Sequence, residues 1–361
     1  MTTLQECRVE IDRLDSEILD LLNQRMNVVH RVGEIKNSSG APIYRPEREL
    51  EIINRLSELS LSQGGALDKA AIEAIYLEIF AVSRNLERAE KVAFLGPEGS
   101  FTHQAAESRF GAMSEYLGMS SIHAVFKSLE TKRAKYGVVP IENSTDGIVG
   151  ETLDLLAKTD VKIVSELTIP IHMAFATMAE KQSEITKIYS KDKGFGQCRD
   201  FLIEHGFNEV EHIPVESTAK AAMLAAADKS SAAICSHIAA KLYKVPTLYE
   251  NIEDSKSNKT RFIVLSDFKN TPSENTKTSI MVKLKDGDKP GALVKFLQDF
   301  DSSKINLSKI ESRPSKNGGY KYWFFIDFYG HIDDKAVSKV IKRHANEIKW
   351  LGSYVEGSDE V

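Results

Sequence analysis

A chain of 361 residues exceeds what one ordinary core holds, and at about 150 residues per domain it divides into two or three. Hydrophobic residues make up 42% and charged residues 27%, and no apolar run approaches the roughly 20 residues that span a bilayer, so no membrane association is expected. A net charge of −5 with no basic cluster argues against a nucleic-acid partner.

The opening MTTLQECRVE lacks the basic start and apolar core of a secretion signal, which points to the cytoplasm. Cys7, Cys198 and Cys235 lie far apart without CxxC or Cys/His spacing; they build neither a disulfide framework nor a zinc site and read as small buried hydrophobes.

From about 4 to 90 the pattern is helical throughout. A run of over 30 residues reaches Lys36, NSSGAP breaks it, Pro46 opens a second helix, Gly64 and Gly65 end that one, and a third starts at Asp68. From KVAFLG (91–96) onward, short β-branched runs such as YGVVPI, VKIVSE, ITKIYS, SAAICS and RFIVLS alternate with helical stretches, the mark of an α/β domain. After the polar stretch KNTPSENTK (269–277), the order strand, helix, strand, strand, helix, strand predicts a small α+β ferredoxin-like sandwich.

In the first helix Ile11, Leu14, Ile18, Leu21, Leu22, Val29 and Val32 share one face at about 100° per residue, and Arg25 and Lys36 fall at its centre with Arg8 at its edge. A helix about 50 Å long is more than 90 residues can cover, so a helical homodimer is expected. Cations on an apolar seam either pair with acids to fix helix register or serve a ligand. Arg48 and Glu49 open the second helix, and Ser83 and Glu87 lie one turn apart on the third. Converging in a bundle, these groups make a cavity suited to a small dianion.

These residues carry a resemblance to the all-helical chorismate mutases, whose dimer builds each active site from both chains. The resemblance implies that Arg8 reaches in from the partner subunit while Arg25, Lys36, Arg48, Glu49, Ser83 and Glu87 line the pocket. Rearranging chorismate to prephenate needs no nucleophile and no proton transfer. Catalysis then comes from holding the reactive conformer and stabilising charge on the ether oxygen, with arginines forking onto the carboxylates and Lys36 donating to that oxygen. Arg45 stands where many relatives have aspartate, and Glu87 where others have glutamine. A carboxylate facing the ether oxygen repels it unless protonated, so mutase activity is expected to rise as pH falls.

In the α/β segment, GPEGSFTHQAA, PIENSTDGIVGET, VESTAKAAM and SHIAAK each place glycine or hydroxyl groups before a helix, as carboxylate sites or as plain N-caps, Ser236 being the plainest cap. GPEGS is not GxGxxG and no Walker lysine motif occurs, so no nucleotide cofactor is expected. The ordered set GPEGSFT, VVPIENSTDGIV, FGQCRDFL, ESTAKAA and NKTRFIVL resembles prephenate dehydratase. It implies two lobes like periplasmic binding proteins, with Thr260, Arg261 and Phe262 at the cleft and Asn143, Ser144, Ser190, Gln197, Glu216, Ser217 and Thr218 lining it. By the same resemblance Thr260 is the candidate hydrogen donor to the departing hydroxyl of prephenate. Lys191 and Asp192 stand where relatives usually carry His-Pro.

DKPGALVKFL and INLSKIESRPS resemble the ACT domains attached to prephenate dehydratases. Gly291, Ala292 and Leu293, with Glu311, Ser312, Arg313 and Pro314, match the strips that bind L-phenylalanine at a domain dimer interface. The expected organisation is a chorismate mutase domain at 1–90, a dehydratase domain at 91–268 and an ACT domain at 277–361. It implies a homo-oligomeric (dimer or tetramer) bifunctional enzyme of phenylalanine biosynthesis, inhibited by phenylalanine and working without metal or organic cofactor. A dehydratase preferring arogenate, and a regulatory protein that only binds an aromatic acid, are the alternatives.

Overall fold

The computed structural model describes residues 3–39 (side chains to 36), 42–273, 275–285, 289–314 and 322–357. Two compact units divide at Glu90, with Phe110–Glu115 belonging to the first.

The first unit holds α1 (Leu4–Ser39), α2 (Pro46–Ser62) and α3 (Lys69–Glu87). Pro46 takes the first turn of α2, and the Asp68 carboxylate accepts from Ala71 N to cap α3, as the sequence punctuation requires. Of the expected break at 37–42, residues 40 and 41 lie outside the described residues. The small core is Ile53, Ile72 and Phe80 with Ile52, Leu56 and Tyr76 against it. The α1 seam is not buried within this chain: Ile11, Leu14, Ile18, Leu21 and Val32 remain exposed. Gly33 faces Glu87, where an added Cβ would sit 3.2 Å from the Glu87 Cα, so glycine lets α1 and α3 approach closely there.

The second unit begins with β1 (Lys91–Leu95), α4 (Phe101–Phe110), β2 (Glu115–Met119), α5 (Ile122–Glu130), β3 (Tyr136–Asn143), β4 (Gly147–Ile148), α6 (Gly150–Lys158) and β5 (Lys162–Pro170). It continues through β6 (Ala174–Thr177), β7 (Lys187–Ser190), α7 (Asp192–Gln197), α8 (Arg199–Glu204), β8 (Glu211–Pro214), α9 (Thr218–Ala227), β9 (Ser231–Cys235), α10 (His237–Leu242), β10 (Thr247–Tyr249) and β11 (Lys259–Ser266). One sheet has the order β2-β1-β3-β11-β5 with β4 on β3, and a second the order β10-β6-β9-β7-β8. The late strand β11 returns to the first sheet between β3 and β5, so the chain passes twice between the lobes. Cys198 and Cys235 are buried, and burial pushes both thiols up, Cys235 to about 12; Cys7 is exposed on α1, against the expectation of a buried hydrophobe.

The C-terminal part adds β12 (Thr276–Val282), α11 (Ala292–Ser302), β13 (Leu307–Pro314), β14 (Tyr322–Tyr329), α12 (Lys335–Arg343) and β15 (Ile348–Val355), in the order β13-β14-β12-β15. This is the expected ferredoxin-like βαββαβ topology. One face of the sheet packs on the two helices through Ile280, Ile326, Phe328, Phe296 and Phe300. The other shares a core with the first α/β sheet through Met281, Phe325, Leu351 and Tyr354 against Ile163, Ile263 and Leu265. The polar stretch before β12 is not a loose linker. Asn270 is buried and donates to Val164 O and Ser353 O, while Thr276 and Lys277 are buried at the start of β12.

Candidate active sites

Within the helical unit a cavity of about 500 Å³ is lined by Arg25, Lys36, Arg48, Glu49, Ser83 and Glu87, all expected from the sequence, and also by Arg45, Arg55, Tyr76, Phe80 and Arg84. Arg25 Nη1 donates to Ser83 Oγ, which donates on to Ile79 O at 2.6 Å, and the guanidinium lies 5.8 Å from the Phe80 ring centroid. Burial lowers the Arg25 pKa, with Tyr76, Glu87 and Glu49 partly opposing it, the state of a cation stripped of water and short of counter-charge. Lys36 Nζ is 2.9 Å from Glu87 Oε2. Arg48 pairs with Glu51 on the outer side at 2.7 Å, and Arg45 with Glu47 at 2.6 Å. Six cations line the cavity and four of them pair with Glu47, Glu49, Glu51 and Glu87, which leaves a local excess of two positive charges, the number that suits a dianion.

Arg84 was not anticipated. It ion-pairs with Glu49, donates to Phe110 O at 3.0 Å, and sits 5.6 Å from the ring centroids of Tyr44 and Phe110. Phe80, Arg84 and Glu87 fall at i, i+4 and i+7, so helical periodicity marked Arg84 as a pocket-facing position. Arg8 is exposed and stands 17 residues, about 25 Å along α1, from Arg25, so it takes no part in the cavity of its own chain.

In the α/β part, antiparallel pairing of β11 with β3 sets Thr260 opposite Asn143 and Arg261 opposite Glu142. Asn143 Oδ1 accepts from Thr145 N and Asp146 N, both at 2.9 Å, which turns its amide nitrogen toward Thr260 Oγ1 at 2.8 Å and Asn258 Oδ1 at 2.9 Å. Thr260 therefore accepts from Asn143 in a bond that does not use its own hydroxyl hydrogen. Phe262 is buried beneath the same strand.

Most of the other expected residues have partners of their own. Ser144 exchanges hydrogen bonds with Lys259 and holds the turn. Ser190 is buried and donates to Ile234 O at 3.2 Å. Gln197 ends α7, where its carbonyl accepts from Asp254 N at 2.7 Å. Glu216 is exposed, Ser217 caps α9 at Lys220 N, and Thr218 is buried in the first turn. Lys193, 2.7 Å from Asp146, joins the altered 191–192 loop to the turn after Asn143. Ser236 caps α10 and donates to Gly99 O at 2.7 Å, which brings the GPEGS loop to the second lobe.

Arg261 is a correction. Successive strand residues face opposite ways, so it turns away from Thr260. It meets Glu166 at 2.6 Å, Asp327 Oδ2 at 2.9 Å and the Tyr354 hydroxyl at 3.2 Å. Burial opposes its charge, but Tyr354, Asp327 and Glu166 outweigh that and hold its pKa well above the ordinary arginine value.

In the C-terminal part Gly291 precedes α11 with φ of 79°, a left-handed conformation that suits glycine, with Ala292 and Leu293 half-buried after it. The 311–314 strip does not act as a block. Glu311 and Arg313 turn toward the α/β sheet, Arg313 to Asp154 at 3.4 Å and against Gly150, while Ser312 and Pro314 are exposed.

Two family models match the chain: chorismate mutase type II at residues 7–88 and prephenate dehydratase at 92–270. A bifunctional chorismate mutase/prephenate dehydratase of Aquifex aeolicus is 44% identical over 98% of each chain, and one of Stutzerimonas stutzeri is 38% identical over 97% of each. The crystal structure of prephenate dehydratase from Arthrobacter aurescens in complex with L-Phe is similar at 32% identity and TM-score 0.66, covering 75% of this chain and 92% of that one. No described helix is long and apolar enough to cross a membrane.

Proposed function

Given that this chain belongs to the bifunctional chorismate mutase/prephenate dehydratases, which form prephenate from chorismate and phenylpyruvate from prephenate, we propose how its residues divide the work. Residues 1–90 form the mutase domain, 91–268 the dehydratase domain and 277–361 a regulatory ACT domain; residues 1, 2, 40, 41, 286–288, 315–321 and 358–361 of these spans lie outside the described residues.

In the helical cavity Arg25 and Arg48 grip the two carboxylates of chorismate, Ser83 holds Arg25, and Lys36 donates to the ether oxygen as its carbon bond breaks. Glu49, held by Arg84, accepts from the ring hydroxyl. Because the step is intramolecular, holding the compact conformer is itself a large part of catalysis. The observation that carries this reading is the cation-rich cavity itself, which has room for a small dianion beside partly unmatched Arg25. The exposed apolar face of α1 supports a dimer in which a second copy covers the seam and delivers its Arg8.

In the dehydratase, Thr260, oriented by Asn143, donates a hydrogen bond to the departing hydroxyl while carbon dioxide leaves and the ring becomes aromatic. L-phenylalanine, the ligand of the Arthrobacter aurescens relative, binds near Gly291 and the exposed side of the 311–314 strip and lowers turnover by favouring a less active arrangement.

One assay tests the whole scheme: purified full-length protein is given chorismate, with and without phenylalanine, and prephenate and phenylpyruvate are followed separately. Thr260→Ala is expected to accumulate prephenate with undiminished mutase turnover. Phenylpyruvate formation near the parent rate would refute the role of Thr260.

A further inference from the structure

The strands that carry Thr260 and Asn143 are held from behind by the C-terminal sheet. On one face of the β3–β11 pair stand Asn143 and Thr260; on the opposite face stand their chain neighbours Glu142 and Arg261, themselves register partners. Arg261 binds Asp327 on β14 and the Tyr354 hydroxyl on β15. Glu142 binds Lys309 on β13 and lies 3.9 Å from Arg261. Glu166 on β5 is shared between Arg261 and Lys277 of β12, both at 2.6 Å. All four strands of the C-terminal sheet thus reach the cluster. Three cations, Arg261, Lys277 and Lys309, meet Glu142, Glu166 and Asp327, with Glu356 a further 3.4 Å from Lys277, so displacing Arg261, Glu166 or Asp327 breaks ion pairs among buried groups.

We propose that Arg261 and Glu142 are positioning residues of the dehydratase, through which the C-terminal sheet sets the geometry of the Thr260–Asn143 pair. The inference rests on the reading of Thr260 as hydrogen donor and extends it to regulation. Strand β13 supplies both Lys309, which holds Glu142, and Ser312, on the exposed side of the strip assigned above to phenylalanine. Between them Glu311 lines a void of about 20 Å³, room for about one water, together with Arg261, Lys309, Ser279 and Asp327. A ligand that shifts β13 moves Lys309, and with it the back of the strand whose next residue orients Thr260. Displacing Glu142 carries Asn143 with it, because both residues are paired with β11 on one side and β4 on the other, and those ladders hold their backbone torsions.

The test uses the full-length enzyme, whose mutase activity serves as an internal reference for protein concentration. Lys309→Met and Asp327→Asn are each expected to lower dehydratase kcat by about tenfold or more, with KM for prephenate nearly unchanged and phenylalanine inhibition blunted, because misalignment of a donor acts on kcat. Lys309→Arg, which keeps the ion pair, is expected to restore kcat, and Glu142→Gln with Lys309→Met to be no slower than either alone. Parent kcat in both Lys309→Met and Asp327→Asn would overturn the proposal. So would loss in Lys309→Met that Lys309→Arg does not rescue, since that marks a purely structural lesion. If Thr260→Ala is inactive while the back-face variants are normal, this inference alone fails; if Thr260→Ala stays active, the reading of Thr260 beneath it fails.

Discussion

Replacing Glu87 by glutamine is expected to raise mutase activity near neutral pH. Glu87 is 9% exposed, lines the cation cavity and holds Lys36 at 2.9 Å, so in the proposed scheme the carboxylate competes with the substrate for that cation. Two unit charges about 4 Å apart in a site of effective dielectric about 20 interact by about 4 kcal/mol. Lys36 beside Glu87 offsets most of the repulsion that a substrate carboxylate or developing oxyanion meets, leaving about 1 to 2 kcal/mol, a factor of roughly 5 to 30 in kcat/KM. Glutamine keeps the shape, removes the charge and offers a donor to the ether oxygen. The assay is mutase kcat/KM across pH 5 to 9 for parent and variant. In Glu87→Gln mutase kcat/KM is expected to exceed the parent value by that factor at neutral pH, because the competing charge beside Lys36 is gone. A variant slower than the parent at every pH, with KM raised, would refute the reasoning, for it would mean that the carboxylate's work is to hold Lys36 in place.

Arg84→Met leaves the Glu49 carboxylate in the cavity wall without its partner, and should cost about 3 kcal/mol of stability in the helical unit, read as a lower urea midpoint for loss of helical circular dichroism. Adding Glu49→Gln should recover most of that stability but not the activity; failure to recover would assign the loss to Arg84's contacts with Tyr44 and Phe110 instead. Gly352→Ala places a Cβ 2.1 Å from Ile163 O, backbone against backbone, where β15 lies on β5. It should destabilise the second unit by about 1 to 3 kcal/mol and depress dehydratase more than mutase activity, and an unchanged melting profile would show that the sheets slide apart at little cost.

Element boundaries were legible because punctuation and period agreed. Pro46, Asp68 and the Gly64–Gly65 break bounded the helices, and the βαββαβ order emerged from strand and helix patterns alone. The mutase cations were legible for the same reason, since Arg25 and Lys36 broke a 3.6-residue stripe. Arg84 was missed although it continued that logic. Its partner Glu49 is 35 residues away, and only packing of α2 on α3 reveals that an arginine beside Ser83 is matched by an acid.

The split within the 260–262 motif and within the 311–314 strip has one cause, which is that strands alternate while motifs run as blocks. Thr260, Arg261 and Phe262 sit on one strand, and a pleat cannot aim neighbours 260 and 261 into the same cleft. The same alternation splits Glu311 and Arg313 from Ser312 and Pro314. Period two was visible in the sequence; what was not visible was that the far face of these strands is covered. An exposed far face would have left Arg261 in water, where an ion pair contributes little. With the C-terminal sheet packed there through Met281, Phe325 and Leu351, a charge on that face must be matched, and the matching acids are far away in sequence, Glu166 lying 95 residues upstream and Asp327 66 downstream. A motif of three consecutive strand residues on a sheet covered on both sides therefore reports on two environments at once, and its middle residue belongs to the face opposite the chemistry.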